Sequence, residues 1–259
     1  VFSATGGIEK VCRVAGKALY QMSLSGPVQT SIMSMHDETE DAFDNIYFPS
    51  EIFKGYGAHK INFIQAAVKK GRHADVVILS HINLLLVGWL IKKISPKTRI
   101  LLFAHGIEIW GTQNNYRKRM MKHCDAFLCV SNYTKKNIQE NSAIHSSKCW
   151  VLNNCIDPYL PLPQAAKKDA ALLDKYGYSA NDTILFTLTR LSSKDRYKGY
   201  DKVFEALALL KDRFPQVRYL VGGGYDEIEK AYVDAMIKRL QLPDVVTIAG
   251  YLPEEELAT

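Results

Sequence analysis

Apolar runs rich in β-branched residues alternate with helical patterns along nearly the whole 259-residue chain, and few folds satisfy that alternation. The runs at 74–80, 99–104, 126–130, 150–152, 183–189, 218–221 and 245–249 read as strands. They are near-continuous rather than alternating, the pattern of parallel strands covered on both faces. Between them apolar residues fall at helical spacing. Ile8, Val11, Cys12, Ala15 and Leu19 do so after Gly6-Gly7, and Val203, Leu207, Leu210 and Phe214 do so later. This rhythm predicts an α/β chain built on doubly wound parallel sheets.

The segment Asp157-Pro-Tyr-Leu-Pro-Leu-Pro163 holds three prolines, which remove backbone donors and stiffen the chain. It divides the sequence into a lobe at 1–160 and a second at 161–259. The second has only three clear strands, thin for a doubly wound domain, and is expected to be incomplete. Residues 254–259 read as the opening turn of a helix, and Val1-Phe2 as the end of a strand feeding the Gly6-Gly7 turn.

The 47% hydrophobic content suffices for buried cores. The longest apolar stretch, 82–91, is about half of the roughly 20 residues that cross a bilayer and predicts a buried helix. No secretory signal is visible at Val1. Five cysteines, odd in number and without a C-x-x-C pair, argue against a disulfide framework or zinc site and for a reducing, cytoplasmic setting. Charge is uneven. Residues 1–165 carry 19 Lys and Arg against 12 Asp and Glu, and residues 166–259 carry 14 against 15. The basic first lobe suits an acidic partner, and its densest cluster is Tyr116–His123. That cluster reads equally as a solvated helix face or as a peripheral contact with anionic lipid at the inner face of a membrane. Basic residues are not interleaved with stacking aromatics, so nucleic acid is disfavoured.

Several residues could carry chemistry. Gly6-Gly7, before a helix, suits either close ligand approach or an ordinary tight turn. Gly222-Gly-Gly224 follows a strand, but neither glycine group fits G-x-G-x-x-G, so a dinucleotide of the NAD type is disfavoured. Arg190 and Lys198 follow the 183–189 run, at the carboxyl edge where open α/β sheets bind ligands. Two cations across one loop can converge on a diphosphate and stabilise charge on a leaving group. The sequence has no D-x-D pair to hold a metal for that task. His105 ends the 99–104 strand in the string AHGIEIW, where it is a cleft residue or a structural histidine. Glu108 nearby is a candidate acceptor for a sugar hydroxyl or a helix N-terminal carboxylate.

Taken in order, these strings resemble the large retaining glycosyltransferase family, group 1, that includes bacterial mannosyl- and glucosyltransferases and sucrose synthase. Gly6-Gly7, AHG around His105, VSNYTKKNI from Val130 and VLNNCID ending at Asp157 carry the resemblance. TRLSSKDRYKGYDKVFEAL around Arg190 and Lys198, VGGG ending at Gly224, and VVTIAGYLP around Gly250 extend it over nearly the whole chain. The resemblance implies the GT-B fold, two Rossmann-like lobes with a donor cleft between them. It implies that Arg190 and Lys198 grip the donor diphosphate, that Gly7 lets the backbone approach phosphate or acceptor, and that His105 contacts the transferring sugar. Gly250, Tyr251 and Leu252 would hold the base through their main chain. Gly6, Glu108, Ser131, Asn154 and Gly224 complete the implied substrate-binding set. Two departures stand out. Asn154-Cys155 replaces the family's Asn-Gly, and the E-x7-E region would lie beyond Thr259.

The reading implied is metal-independent, retaining transfer of a hexose from a UDP- or GDP-linked donor to a glycan or lipid-linked acceptor in polysaccharide biosynthesis. It needs no cofactor beyond that nucleotide sugar. A nucleotide-sugar epimerase of the same architecture and a non-catalytic two-lobed sugar- or nucleotide-binding protein are the alternatives.

Overall fold

A computed structural model describes residues 1–3, 6–160 and 168–257. The chain divides into two compact units, Val1–Pro158 and Tyr159–Thr259. Pro161 and Pro163 of the proline-rich segment lie outside the described residues.

In the first unit the order is α1 (Gly7–Ser25), β1 (Ile32–Ser34), β2 (Phe53–Gly55), α2 (Lys60–Gly71), β3 (Val76–Leu79) and α3 (Leu85–Ile94). There follow β4 (Arg99–Ala104), α4 (Asn115–Met121), β5 (Ala126–Cys129), α5 (Asn132–Ser142) and β6 (Cys149–Val151). All pairing is parallel, β1 with β2 and β3 through β6 in sequential order. Within the β3–β6 sheet each crossover is an α-helix, which covers the sheet and explains the continuous apolar runs. Leu79, Leu85, Ile91, Ile100, Leu102, Phe127 and Ile138 form the dry centre. Each such side chain contributes about 1.5–3 kcal/mol by leaving water. The register Leu79↔Leu102 and Ala104↔Cys129 brings the carboxyl ends of β3, β4 and β5 to one edge.

The second unit runs α6 (Ala170–Tyr176), β7 (Thr183–Leu188), α7 (Tyr200–Leu210), β8 (Val217–Gly222), α8 (Glu227–Arg239), β9 (Val246–Gly250) and α9 (Glu254–Leu257). The strands form a parallel sheet in the order β7-β8-β9. Tyr200, Phe204, Leu207, Tyr219, Val221 and Val233 fill its core.

Four details differ from the sequence reading. The face of α7 that packs inward is Tyr200, Phe204 and Leu207, whereas Leu210 and Phe214 are exposed, because the helix ends at Leu210. Residues 82–84 form a 3₁₀ turn before α3 begins, and α3 continues to Ile94. Val1 and Phe2 are not in a strand; the Phe2 ring instead packs on Phe48 and Phe53. On β7, Leu185, Phe186 and Leu188 are exposed rather than covered on both faces, Leu188 by 54%.

The carboxyl ends of β7, β8 and β9 are laced together by backbone. Thr189 N donates to Gly222 O, Leu191 N to Gly224 O, and Gly223 N to Gly250 O at 2.6 Å. Gly223 sits at φ +129° with Thr189 O only 2.0 Å from where a Cβ would stand, so no other residue fits. Gly224 has open space at the same atom. Gly223→Ala is therefore expected to destabilise by about 2 kcal/mol or more, and Gly224→Ala by less than about 0.5 kcal/mol. Urea unfolding followed by circular dichroism measures the difference. Equal midpoints for the two variants would contradict so close an approach.

Candidate active site

The second unit presents two of the sequence-predicted cations together. Arg190 lies two residues after β7, and Lys198 ends the loop before α7, where Gly199 turns at φ +76°. Arg190 Nη2 lies 2.7 Å and Nε 3.1 Å from Asp195 Oδ2, and Lys198 Nζ lies 3.5 Å from the same oxygen. One carboxylate oxygen thus marks a point that both cations reach. The Arg190 hydrogen bond holds the Asp195 carboxyl below the usual carboxylate range, despite an opposing contribution from burial.

The loop between these residues is tied down from α8. Asp226 caps that helix by accepting from Glu229 N, and its other oxygen accepts from Ser193 N at 3.0 Å. Glu229 is fully buried, yet it accepts from Arg196 Nε at 2.8 Å and from the Tyr200 hydroxyl. Its contacts therefore fall two residues before and two after Lys198. Arg196 also lies over the Tyr232 ring at 3.9 Å.

Among the glycines, Gly224 O accepts from Leu191 N, but the position that must be glycine is Gly223. Gly250 adopts φ +71° at the end of β9 beside an irregularity in the β8–β9 register. Tyr251 after it is 68% exposed, while the Leu252 side chain is buried against Gly222. Leu252 therefore offers a ligand its main chain and not its side chain.

In the first unit the carboxyl edge gathers a second group. His105 Nε2 lies 2.8 Å from Ser80 O, and a carbonyl only accepts, so that nitrogen carries the proton. With the Nε2 proton used on Ser80 O, Nδ1 is the ring nitrogen left to face a ligand. The ring stacks on Phe103 at 5.8 Å. Glu108 lies in a turn rather than in a helix, and its Oε1 accepts from His105 N at 2.7 Å and Gly106 N at 3.1 Å. Its carboxylate thereby fixes the backbone that carries His105.

The reading of the sequence missed His81, which follows β3. Its Nδ1 accepts from Asn83 N at 3.1 Å, so the proton is on Nε2. Burial lowers its pKa, and Glu108, His105, Arg117 and Glu9 all lie within electrostatic reach. The two imidazoles therefore present opposite characters, a donor at His81 and an acceptor at His105. Glu9 belongs to the first turn of α1, which Gly6 caps without a side-chain bond, so the Gly6-Gly7 turn adjoins this group. Gly7 has open space where a Cβ would stand. Burial raises the pKa of the Cys12 thiol on α1, against an opposing contribution from Ser80.

Two further predicted residues follow β5 and β6. The Ser131 hydroxyl caps α5, accepting from Thr134 N at 3.1 Å. Asn154 is exposed in the loop after β6. Among the described residues no group of three or more His, Cys, Asp or Glu gathers in a way that could hold a metal.

Comparison with known families decides the assignment. The family described as Glycosyltransferase Family 4 matches residues 5–160, and Glycosyl transferases group 1 matches residues 171–259. The chain belongs to the group 1 GT-B glycosyltransferases. No match is found among curated proteins. Among solved structures this glycosyltransferase chain is similar to Anabaena HepE in complex with UDP-glucose, with 16% identity and a TM-score of 0.70. The match covers 97% of this chain and 67% of HepE. It is also similar to the lipopolysaccharide outer core galactosyltransferase WaaB, with 16% identity, a TM-score of 0.61, and 98% and 67% of the two chains covered. A putative UDP-N-acetylglucosamine 2-epimerase from Listeria monocytogenes shares the fold as well. There the identity is 11%, the TM-score 0.59, and the coverage 98% and 69%. The glycosyltransferase chain thus spans about two thirds of the length of these relatives.

Proposed function

We propose that this glycosyltransferase moves a hexose, with retention, from a UDP- or GDP-linked donor to a glycan or lipid-linked acceptor in polysaccharide assembly. The observation that carries the reading is the convergence of Arg190 and Lys198 on Asp195 Oδ2 at the carboxyl edge of β7. Support comes from HepE, a similar fold in complex with UDP-glucose, and from WaaB, a galactosyltransferase of the lipopolysaccharide outer core.

In this reading the donor's bond between the anomeric carbon and the diphosphate oxygen breaks, and the electron pair leaves with the diphosphate. Charge grows on that leaving group as the sugar approaches an oxocarbenium-like state. Arg190 and Lys198 stabilise it in the role that a metal ion plays elsewhere, so the reaction proceeds without one. The main chain at Gly250, Tyr251 and Leu252 holds the base, and Gly224 lies at the same strand edge. On the other unit, His105 Nδ1 accepts from a sugar hydroxyl while Gly6 and Gly7 admit the substrate close to the backbone.

Electrostatics also support a place for the chain at a membrane surface. His123 is lowered in pKa first by burial and then by Lys93, Arg119, Lys148 and Lys92, which places four cations around one point. Among the described residues no helix is long and apolar enough to cross a bilayer. The basic face instead suits peripheral contact with anionic lipid on the cytoplasmic side. Sedimentation with anionic vesicles should carry the protein down at low salt and release it as salt rises. Equal binding to neutral vesicles would contradict the electrostatic basis.

Replacing Arg190 or Lys198 by Ala should lower kcat/KM for the donor about 10²–10³-fold, mainly in kcat, equivalent to roughly 2.7–4 kcal/mol. Lys198→Arg should rescue only partly, since a planar fork does not replace a compact ammonium. Sugar transfer from UDP-glucose or GDP-mannose, assayed with excess EDTA present, is the measurement. Normal kcat in both Ala variants would move the donor site elsewhere, and loss of activity to EDTA would end the metal-free reading. A donor altered at one sugar carbon without transfer would favour the epimerase.

A further inference from the structure

Arg117 is absent from the donor chemistry above, yet it is fixed with care. It lies on α4, and its Nη2 donates to Asn83 Oδ1 at 3.0 Å while Nη1 donates to Gln113 Oε1 at 3.3 Å. Both acceptors are neutral amide oxygens. Among the described residues no carboxylate pairs with it, whereas Arg190, Arg196 and Arg218 are paired with Asp195, Glu229 and Asp182. Gln113 is itself buried and oriented, because its Nε2 donates to Ile109 O at 3.2 Å and Trp110 O at 3.4 Å. Its oxygen is thereby left to face the guanidinium.

The outer anchor leads to the site. Asn83 accepts from Arg117 through its side chain and donates through its backbone to His81 Nδ1. His81, Asn83 and Arg117 therefore form one connected arc at the carboxyl end of β3, which ends in a guanidinium and retains the His81 Nε2–H as a further donor. An arginine held by neutral oxygens keeps its whole charge and its remaining N–H groups for a ligand, in a fork that matches an oxyanion. Glu9 and Glu108 also act on His81, and their carboxylates suit hydroxyl donors, which leaves the Arg117 end of the arc to an anion.

We propose that Arg117, with His81 beside it, binds a phosphate group carried by the acceptor. The identification of the ligand as the acceptor rests on the transferase reading; the binding of phosphate at Arg117 does not. A lipid phosphate and a soluble phosphosugar present the same group, and the site recognises that group.

The test is calorimetric titration of the protein saturated with UDP, so that the donor's diphosphate cations are already occupied. The probes are farnesyl phosphate in neutral detergent micelles, glucose 1-phosphate, glucuronate and glucose. At least one phosphate probe should bind. Arg117→Gln should weaken it tenfold or more, while UDP affinity stays within twofold of the wild type. Asn83→Ala, a change at an exposed residue that removes the outer anchor, should weaken phosphate binding severalfold. Binding of farnesyl phosphate alone assigns a lipid-linked acceptor, binding of glucose 1-phosphate alone assigns a soluble one, and either supports the site. The proposal is overturned if neither phosphate probe binds, if Arg117→Gln binds them as the wild type does, or if glucuronate binds equally well. Failure of UDP itself to bind counts against the transferase reading instead; the same phosphate titrations, run without UDP on wild type and Arg117→Gln, then decide this proposal alone.

Discussion

One carboxylate oxygen, Asp195 Oδ2, holds Arg190 and Lys198 to a common point, and the chemistry assigned to the second unit depends on that convergence. The pairing is an exposed one, with the Arg190 side chain 71% accessible, so it contributes about 1 kcal/mol at most. A weakly held cation that faces water can exchange its carboxylate for an oxyanion of higher charge. The loop that carries the pair is held much more firmly. Buried Glu229 grips Arg196 and Tyr200, and Asp226 grips Ser193, so the loop backbone that carries the cations is fixed independently of Asp195. Firm backbone with loosely occupied cations is the arrangement that electrostatic preorganisation requires.

The first unit brings imidazoles rather than cations to its carboxyl edge. Two histidines at neighbouring strand ends have their protons assigned by backbone, His105 through Ser80 O and His81 through Asn83 N. A hydroxyl can donate to the acceptor nitrogen of His105, while the His81 N–H is left to donate to an oxyanion. Burial lowers the pKa of His81, and protonating Nδ1 would break its bond to Asn83 N.

Much of the fold was legible because helix-covered parallel strands leave a strong imprint, and six of the seven proposed runs need only one or two residues moved at an end, the run at 99–104 none. The misses have physical causes. The strands at 32–34 and 53–55 are three residues long and carry no periodicity to detect. The inward face of α7 was displaced because Tyr200, with its polar hydroxyl, anchors the core through Glu229, a pairing no local pattern encodes. At the candidate sites, Arg190, Lys198 and His105 are singled out by their places in the segments that follow strands. Gly223 could not be separated from Gly224, since what distinguishes them is Thr189 O, 34 residues away. His81, Asn83 and Arg117 form their arc through a contact between the 82–84 turn and α4, although His81 after an apolar run was a signal of the same kind as His105.

A structure of this chain with UDP bound tests the central claim most directly. The account predicts a diphosphate oxygen within hydrogen-bond distance of both Arg190 and Lys198, with Asp195 Oδ2 displaced and the Arg196–Glu229–Tyr200 contacts unchanged. A diphosphate bound elsewhere, with both cations still on Asp195, would contradict it.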